Sequence, residues 1–252
     1  MLKHPFSSLL IATLLLMATS AQAQDVKSVI RPDEVPSSLN VLETPPAERS
    51  ARFVYDQYRY YWGRAMRDTP RGAQALEDCD CSAAGDARAF SPAFGVTIDK
   101  ESTPELFKLV SILQDASGWY GTTEAKEYYK RTRPFIYFND GTCKPSDEEE
   151  LSKNGSYPSG HTAGGFAVAL VLAEINPDNQ DTILRRGIAF GESRVICGYH
   201  WQSDVDAGYL IAAGVVARLH ASEAFQKQLA AAKQEFAELK RQGKVKVVKV
   251  ER

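Results

Sequence analysis

The sequence predicts an all-α protein with a single helical domain, and three observations support this fold class. Helix-start signals recur along the chain, one segment is apolar on nearly every side, and a Glu-, Lys- and Gln-rich C-terminal stretch has the pattern of a surface helix. The 252 residues are 44% hydrophobic and 25% charged, which is typical of a globular protein with one sizeable core.

The first 23 residues have the pattern of a cleavable signal peptide. Lys3 and His4 precede an apolar stretch over 9–18, and Ala21 and Ala23 offer small residues at positions −3 and −1 of a cleavage site. A membrane anchor is the alternative, but the apolar stretch is shorter than the roughly 20 residues that span a bilayer. We therefore expect export with cleavage after Ala23.

Residues 24–46 are expected to form an extended arm that lies over the domain. Prolines stand at 32, 36, 45 and 46, and no sustained hydrophobic periodicity accompanies them. The helical domain is predicted to follow over 47–252.

The domain shows its helices through start signals and periodicity. Thr69-Pro70 and Thr103-Pro104 each place an N-cap candidate before a proline at the first helical position. The segment 162–175 is apolar on nearly every side, which predicts a central buried helix. Further helices are predicted over 181–194, 205–220 and 222–242.

The charge pattern limits the class of partner. Thirty basic residues are scattered among 32 acidic ones, and the formal net charge is −2. Such a chain lacks the basic field that attracts nucleic acid polymers or anionic membranes. No segment after the signal sequence is a good transmembrane candidate, so we expect a small-molecule substrate.

The four cysteines are Cys79, Cys81, Cys143 and Cys197, an even number that allows three pairings in an oxidising compartment. Because Cys79 and Cys81 are separated by one residue, a bridge from Cys143 to Cys197 is the working hypothesis, and the sequence alone leaves the pairing open. A zinc site is disfavoured because there is no second paired cysteine cluster.

The first cluster of candidate functional residues is Lys126 with Arg133-Pro134. Lys126 and Arg133 are seven residues apart, about two helical turns, so both cations are expected on one helix face near an end set by Pro134. Two long cations can hold one phosphate. Because Lys130 and Arg131 lie alongside, a solvated helix face is the alternative.

The second cluster is the turn-rich run 155–162, which leads directly into the apolar helix. A helix N-terminus presents free N–H groups and a positive dipole end, which favour an anion. Gly160 allows close backbone approach, Ser159 can donate a hydrogen bond, and His161 can carry a proton. A purely structural N-cap at Ser159 or Thr162 is the alternative.

The third cluster is Arg194, His200 and Asp204. If 200–204 is helical, His200 and Asp204 share a face, and the carboxylate can hold one ring nitrogen protonated while the other acts as a nucleophile. A buried structural pair is the alternative.

Taken together, these clusters resemble the three-part signature of the phosphatidic acid phosphatase type 2 and vanadium haloperoxidase superfamily. Within it, G-S-Y-P-S-G-H-T at 155–162 and G-E-S-R-V-I-C-G-Y-H-W-Q-S-D at 191–204 are similar to bacterial class A non-specific acid phosphatases, especially the apyrase-like members. The resemblance covers most of the chain after residue 45. Cys79-Asp80-Cys81 departs from the family pattern.

The resemblance implies a periplasmic acid phosphatase that needs no metal or other cofactor. His200 would attack phosphorus, His161 would protonate the leaving group, and Asp204 would orient His200. The phosphoryl oxygens would be held by Lys126, Arg133, Ser159, Gly160 and Arg194. Because His200 must be neutral while His161 is protonated, a bell-shaped pH profile with an acidic optimum is expected.

The resemblance also implies phosphomonoesters as substrates, with nucleoside di- and triphosphates and phosphotransfer as further candidates, and a homo-oligomeric state. Vanadate-dependent halide oxidation is the main alternative, because vanadate bound to His200 resembles the phosphoryl transition state. Lipid phosphate hydrolysis is disfavoured because those relatives have several spanning helices. A catalytically inactive phosphate-binding protein is disfavoured because a nucleophile, a proton donor and an orienting acid are all present.

Overall fold

The computed structural model describes residues 26–249, and this part of the chain is helical and contains no β-strand. The signal sequence predicted over 1–23 lies outside the described residues. None of the described helices is both long and apolar enough to cross a membrane. The helices are α1 (Ser38–Val41), α2 (Ala51–Met66), α3 (Pro70–Glu77), α4 (Ala83–Phe94), α5 (Pro104–Leu113), α6 (Gly121–Tyr129), α7 (Pro134–Tyr137), α8 (Glu148–Leu151), α9 (Gly160–Ile175), α10 (Gln180–Ile196), α11 (Gln202–Leu219) and α12 (Glu223–Arg241).

The four helices predicted in the second half are confirmed, with ends within three residues of the expected ones. Helix α9 lies at the centre and packs against α10, α11 and the π-helical turn Gln114–Tyr120 that joins α5 to α6. Its apolar side chains, such as Val168, Val171 and Leu172, are fully buried. Phe166 and Leu170 are half-buried and Glu174 is exposed, so burial on nearly every side explains why this helix has almost no polar face.

The two predicted Thr-Pro helix starts are confirmed, but they are capped differently. The Thr69 side chain accepts a hydrogen bond from the Gly72 N–H, as an N-cap does. The Thr103 side chain instead accepts from the Asp99 N–H, and the first free N–H groups of α5 donate to the carboxylate of Glu235 on α12. A residue more than a hundred positions away therefore caps this helix.

The described part of the arm, 26–46, lies over the helical domain. It is wound into two short 3-10 turns and helix α1, and Val26, Ile30 and Leu42 join the main hydrophobic core. The Ser38 hydroxyl accepts a hydrogen bond from the Ala125 N–H in α6. These contacts attach the arm close to one of the candidate phosphate-binding segments.

Candidate active site

The N-terminus of α9, the predicted anion site, begins at a serine cap. Ser159 is the N-cap: its side-chain oxygen accepts from the Thr162 N–H (3.3 Å) and from the Thr162 hydroxyl (2.9 Å), which leaves its own hydroxyl proton available to donate. A Cβ on Gly160 would stand 2.6 Å from the Gly118 carbonyl oxygen, so only glycine lets α9 begin this close to the π-helical turn. Ser159 can therefore cap the helix and still have a hydroxyl proton to donate to an anion.

His200 lies just before α11, which begins at Gln202, so the condition that 200–204 is helical is met only from Gln202 onward. Its contact with Asp204 is made across the helix start: His200 Nδ1 is 3.4 Å from Asp204 Oδ2 and 3.3 Å from Ser156 Oγ. Gly198, with φ of 76°, makes the turn that brings the chain from Arg194 back to His200, whose N–H donates to the Arg194 carbonyl oxygen.

These contacts assign the protonation of the His200 ring. Ser156 Oγ donates its proton to Asp204 Oδ2 in a short hydrogen bond, and a carboxylate only accepts. Nδ1 must therefore carry the ring proton. Nε2 is left with its lone pair, which accepts from Arg133 Nη1 at 3.1 Å.

The carboxylate of Asp204 is fully buried and held by four groups. Besides His200 and Ser156, the Trp201 N–H donates to Oδ2 (2.8 Å) and Arg131 Nη1 donates to Oδ1 (2.5 Å). Burial alone would raise the pKa of Asp204, but the Arg131 charge and the hydrogen bonds lower it well below its usual range. Asp204 is a fixed negative charge behind His200.

Arg131 and Ser156 are site residues that the sequence analysis missed. Arg131 was grouped with a solvated helix face, yet its side chain is only 9% exposed and pairs with both Asp204 and Asp56. In sequence Arg131 looks the same as its exposed neighbour Lys130. No sequence signal separates the two, because Asp56 lies 75 residues away.

Lys126 and Arg133 do not share a helix face. Helix α6 ends at Tyr129, the following residue Lys130 adopts a left-handed conformation with φ of 43°, and Arg133 stands in an extended segment before α7. The two cations still line the same surface cavity. Burial, followed by the charge of Arg133, lowers the pKa of Lys126 well below its usual value. Lys126 Nζ donates to the carbonyl oxygens of Gly155 (2.9 Å) and Ser156 (3.4 Å).

Arg194, on α10, is fully buried and approaches the site from the opposite side. Its Nη2 donates to the Asp78 carbonyl oxygen and its Nη1 to Cys81 Sγ (3.3 Å). Its Nε is buried and has no hydrogen-bond partner among residues 26–249. A buried cation with an unused donor is a candidate for binding an oxyanion.

His161 lies near His200, with ring centroids 6.3 Å apart. Its Nδ1 is buried without a partner in the described part of the chain. Burial, followed by the charges of Arg194, His200, Arg133 and Lys126, lowers the pKa of His161 well below its usual value. This environment favours the neutral form of His161 in the free protein, and its protonation in the reaction stays a prediction.

The pKa of His200 is lowered to about 3 by burial and by the charge of Arg133, against the opposing effect of Asp204. His200 is therefore neutral across the whole physiological range, as a nitrogen nucleophile must be. Within residues 26–249, no three His, Cys, Asp or Glu side chains form a group that could hold a metal ion. The structure places His161, Arg133 and Asp204 around His200 and Ser159 against Asp204, and the roles assigned to the predicted site residues stay predictions.

Comparison with known proteins gives a consistent result. Residues 109–227 match the model of the PAP2 superfamily. A non-specific acid phosphatase of Providencia stuartii is 54% identical over 204 residues, which cover 81% of this chain and 82% of the relative. A non-specific acid phosphatase of Salmonella typhimurium is 47% identical over 88% of this chain and 89% of its own length, and an acid phosphatase of Zymomonas mobilis is 38% identical over 79% and 75%.

Proposed function

Because the chain belongs to the PAP2 superfamily and within it to the non-specific acid phosphatases, we propose that it hydrolyses phosphomonoesters through a phosphohistidine on Nε2 of His200. One observation carries this proposal: the hydrogen bonds of Ser156 and Asp204 leave the ring proton on Nδ1 and the lone pair on Nε2. The nucleophile is thereby prepared before the substrate arrives.

In the first step, the hydrogen bond from Arg133 Nη1 to Nε2 breaks as Arg133 turns to the phosphoryl group, the freed Nε2 lone pair attacks phosphorus, the N–P bond forms and the P–O bond to the leaving alcohol breaks. Lys126, Arg133 and Arg194 stabilise the charge on the phosphoryl oxygens, together with the Ser159 hydroxyl and the first N–H groups of α9. Positive charge develops on the His200 ring, and the Asp204 carboxylate, 3.4 Å from Nδ1, stabilises it.

His161 gives a proton to the leaving oxygen. In the free protein its pKa is low because of burial and the surrounding cations. A bound phosphate monoester neutralises those cations, so the pKa of His161 rises when substrate binds. At acidic pH the substrate arrives as a monoanion, since its second pKa is about 6, and its proton can supply His161.

In the second step, water attacks phosphorus, the N–P bond breaks, and the water proton passes to His161. Inorganic phosphate then leaves. An alcohol in place of water would give phosphotransfer by the same route. The proposed reaction requires no cofactor, because three cations and a helix N-terminus provide the charge stabilisation.

Nucleoside di- and triphosphates are proposed as additional substrates because of a surface cavity of about 500 Å³ beside Lys126 and Arg133. Lys130 and Lys153 also line it and could hold further phosphates, although Lys153 is partly neutralised by Glu150 at 2.8 Å. Lys130→Asn retains a residue that tolerates the left-handed conformation. We expect this variant to raise the KM for ATP more than the KM for p-nitrophenyl phosphate.

We further propose that the predicted signal sequence, residues 1–23, directs the protein to the periplasm, and that the protein is a homo-oligomer. N-terminal sequencing of the exported protein would test the first point, with Gln24 as the expected first residue. Light scattering of the purified protein would test the second.

The central test is hydrolysis of p-nitrophenyl phosphate by wild type and His200→Ala from pH 4 to 7.5, with EDTA present. We expect activity in wild type alone, and acid-labile phosphate on wild type after a rapid quench. Equal activity in both proteins would exclude His200 as the nucleophile. Loss of wild-type activity with EDTA would contradict a metal-free reaction.

A further inference from the structure

Three thiols lie together behind the candidate active site. All four cysteines are free thiols in the structure. Cys197 Sγ is 3.5 Å from Cys79 Sγ, and both thiols donate to the carbonyl oxygen of Ala75 on α3. Cys143 also lies beside Cys197: its N–H donates to the Cys197 carbonyl oxygen at 3.2 Å, and its side chain packs against the cluster that contains Cys79 and Cys197. Cys197 therefore faces two potential disulfide partners.

We propose that Cys197 is a disulfide-exchange site with two alternative partners, Cys143 and Cys79, and that a bridge to Cys79 alters phosphate binding through Arg194. The bridge to Cys143 is the pairing expected from the sequence. The bridge to Cys79 involves the Cys79-Asp80-Cys81 segment, which departs from the family pattern.

The Cys143–Cys197 bridge forms first, by exchange with an external disulfide such as glutathione disulfide, which is reduced to two thiols as the two cysteines are oxidised, and the second exchange then needs no further oxidant. The Cys79 thiolate attacks Cys197 Sγ of a Cys143–Cys197 bridge, the new S–S bond forms, and Cys143 leaves as a thiolate. Among the free thiols, the hydrogen bond from Cys197 and the charge of Arg194 lower the pKa of Cys79; once Cys197 is bridged it has no thiol proton to donate, and the charge of Arg194 remains to favour the Cys79 thiolate. The sulfur atoms must approach from 3.5 Å to a bond length near 2.0 Å, about 1.5 Å of movement.

That movement affects Arg194 because the same segment holds its guanidinium group. Nη2 donates to the carbonyl oxygen of Asp78, the residue before Cys79, and Nη1 donates to Cys81 Sγ two residues after it. Cys79 and Cys197 are both buried, so the neighbouring backbone has little room to absorb a shift. Cys143 lies in a different loop, after α7, and its bridge would leave residues 78–81 in place.

The test compares two matched variants, Cys143→Ser and Cys79→Ser, each refolded from the reduced chain in a glutathione redox buffer. Refolding under oxidising conditions avoids the limited access to buried thiols. Peptide mapping without reduction, after digestion with trypsin and Asp-N, identifies the bridge, since cleavage before Asp80 separates Cys79 from Cys81. Titration calorimetry then measures the affinity for orthophosphate, and p-nitrophenyl phosphate hydrolysis measures KM.

For Cys143→Ser we expect a Cys79–Cys197 bridge, about tenfold weaker orthophosphate binding and a raised KM, both reversed by dithiothreitol; a tenfold change corresponds to one charge-assisted hydrogen bond. For Cys79→Ser we expect a Cys143–Cys197 bridge and unchanged orthophosphate affinity. Absence of the Cys79–Cys197 peptide, or a bridged protein that binds orthophosphate as the reduced one does, would overturn the proposal.

The coupling to Arg194 rests on its proposed role in phosphate binding, whereas the bridge itself does not. If the reduced protein binds no orthophosphate, the proposed site fails and the coupling to Arg194 fails with it. Peptide mapping then still decides whether Cys197 has two partners.

Discussion

Replacing Asp204 by Asn tests whether the carboxylate acts through its charge or only through its shape. Oδ2 accepts from Ser156, Trp201 and His200, whereas Oδ1 accepts from Arg131. The side-chain amide of Asn has only one accepting oxygen. The three donors that face the Oδ2 position require the amide oxygen to occupy that position. Asp204→Asn therefore keeps the His200 ring proton on Nδ1 and removes the negative charge behind the ring.

The expected size of the effect on kcat follows from the distance between His200 and Asp204. Positive charge on His200 as the N–P bond forms lies 3.4 Å from Asp204 Oδ2. At an effective dielectric constant of about 20 this interaction is worth about 5 kcal/mol, or roughly 10³- to 10⁴-fold in rate. We expect kcat to fall by this factor without a rise in KM, since losing a negative charge does not weaken the binding of an anionic substrate.

Steady-state hydrolysis of p-nitrophenyl phosphate separates these parameters, and a thermal unfolding curve determines whether the variant is folded at the assay temperature. Removing one partner of a buried ion pair costs about 3–5 kcal/mol of stability, so this second measurement is necessary. Asp206→Asn is the matched control, because Asp206 lies on the same helix, is exposed and accepts from Gln202. A folded Asp204→Asn variant with kcat within tenfold of wild type would refute the electrostatic role.

Three further predictions concern neighbouring groups. His161→Ala should slow hydrolysis of an alkyl phosphate far more than that of p-nitrophenyl phosphate, because p-nitrophenolate leaves without a proton; equal losses would contradict a proton-donor role. Ser156→Ala should lower kcat by about tenfold, measured in the same assay, because Nδ1 then has the weaker 3.4 Å contact with Asp204 alone; unchanged kcat would refute this. Burial raises the pKa of Asp86 to about 8, above about 4 in the unfolded chain, so the folded state holds a proton that the unfolded state lacks between these values. The free energy of unfolding should therefore fall by up to about 1.4 kcal/mol per pH unit as pH rises from about 4 to 8. Urea unfolding at pH 5 and pH 7.5 should show a smaller fall for Asp86→Asn than for wild type. Equal falls in the two proteins would contradict the raised pKa of Asp86.

The sequence predicted the helices and the candidate site residues because their signals are local. The start of α9 is set by Ser159 and Gly160, and its burial follows from its composition. What the sequence could not predict is how the site residues approach one another. Lys126 and Arg133 converge through a left-handed turn at Lys130 that no periodicity reveals.

The sequence also could not predict contacts between distant residues, which explains why Arg131 and Ser156 were missed. Asp56, on α2, accepts from the Ser203 N–H and pairs with Arg131, and Arg131 in turn pairs with Asp204. This chain of contacts links helices that are distant in sequence and fixes the start of α11 behind His200. Each member alone is an ordinary surface-type residue in the sequence, so only the tertiary structure identifies it as a buried charge.

The same cations act on both histidines, although the reaction requires His200 to be neutral and His161 to donate a proton. Arg133 and Lys126 lower the pKa of both His200 and His161. For His200 this effect is useful at all times, because the nucleophile must keep its lone pair. For His161 the same effect, added to that of burial, would prevent proton donation unless a bound phosphate ester offsets the cationic charge. The active protonation state is therefore formed by the substrate monoanion, so activity should fall as the ester loses its second proton, and the alkaline limb of the pH profile should follow the ionisation of the phosphate ester rather than that of either free histidine. The test compares the pH profiles of esters whose second phosphate pKa values differ by a full unit. The alkaline limb should shift with the ester, whereas an alkaline limb fixed at one pH for all esters would assign it to a group of the protein.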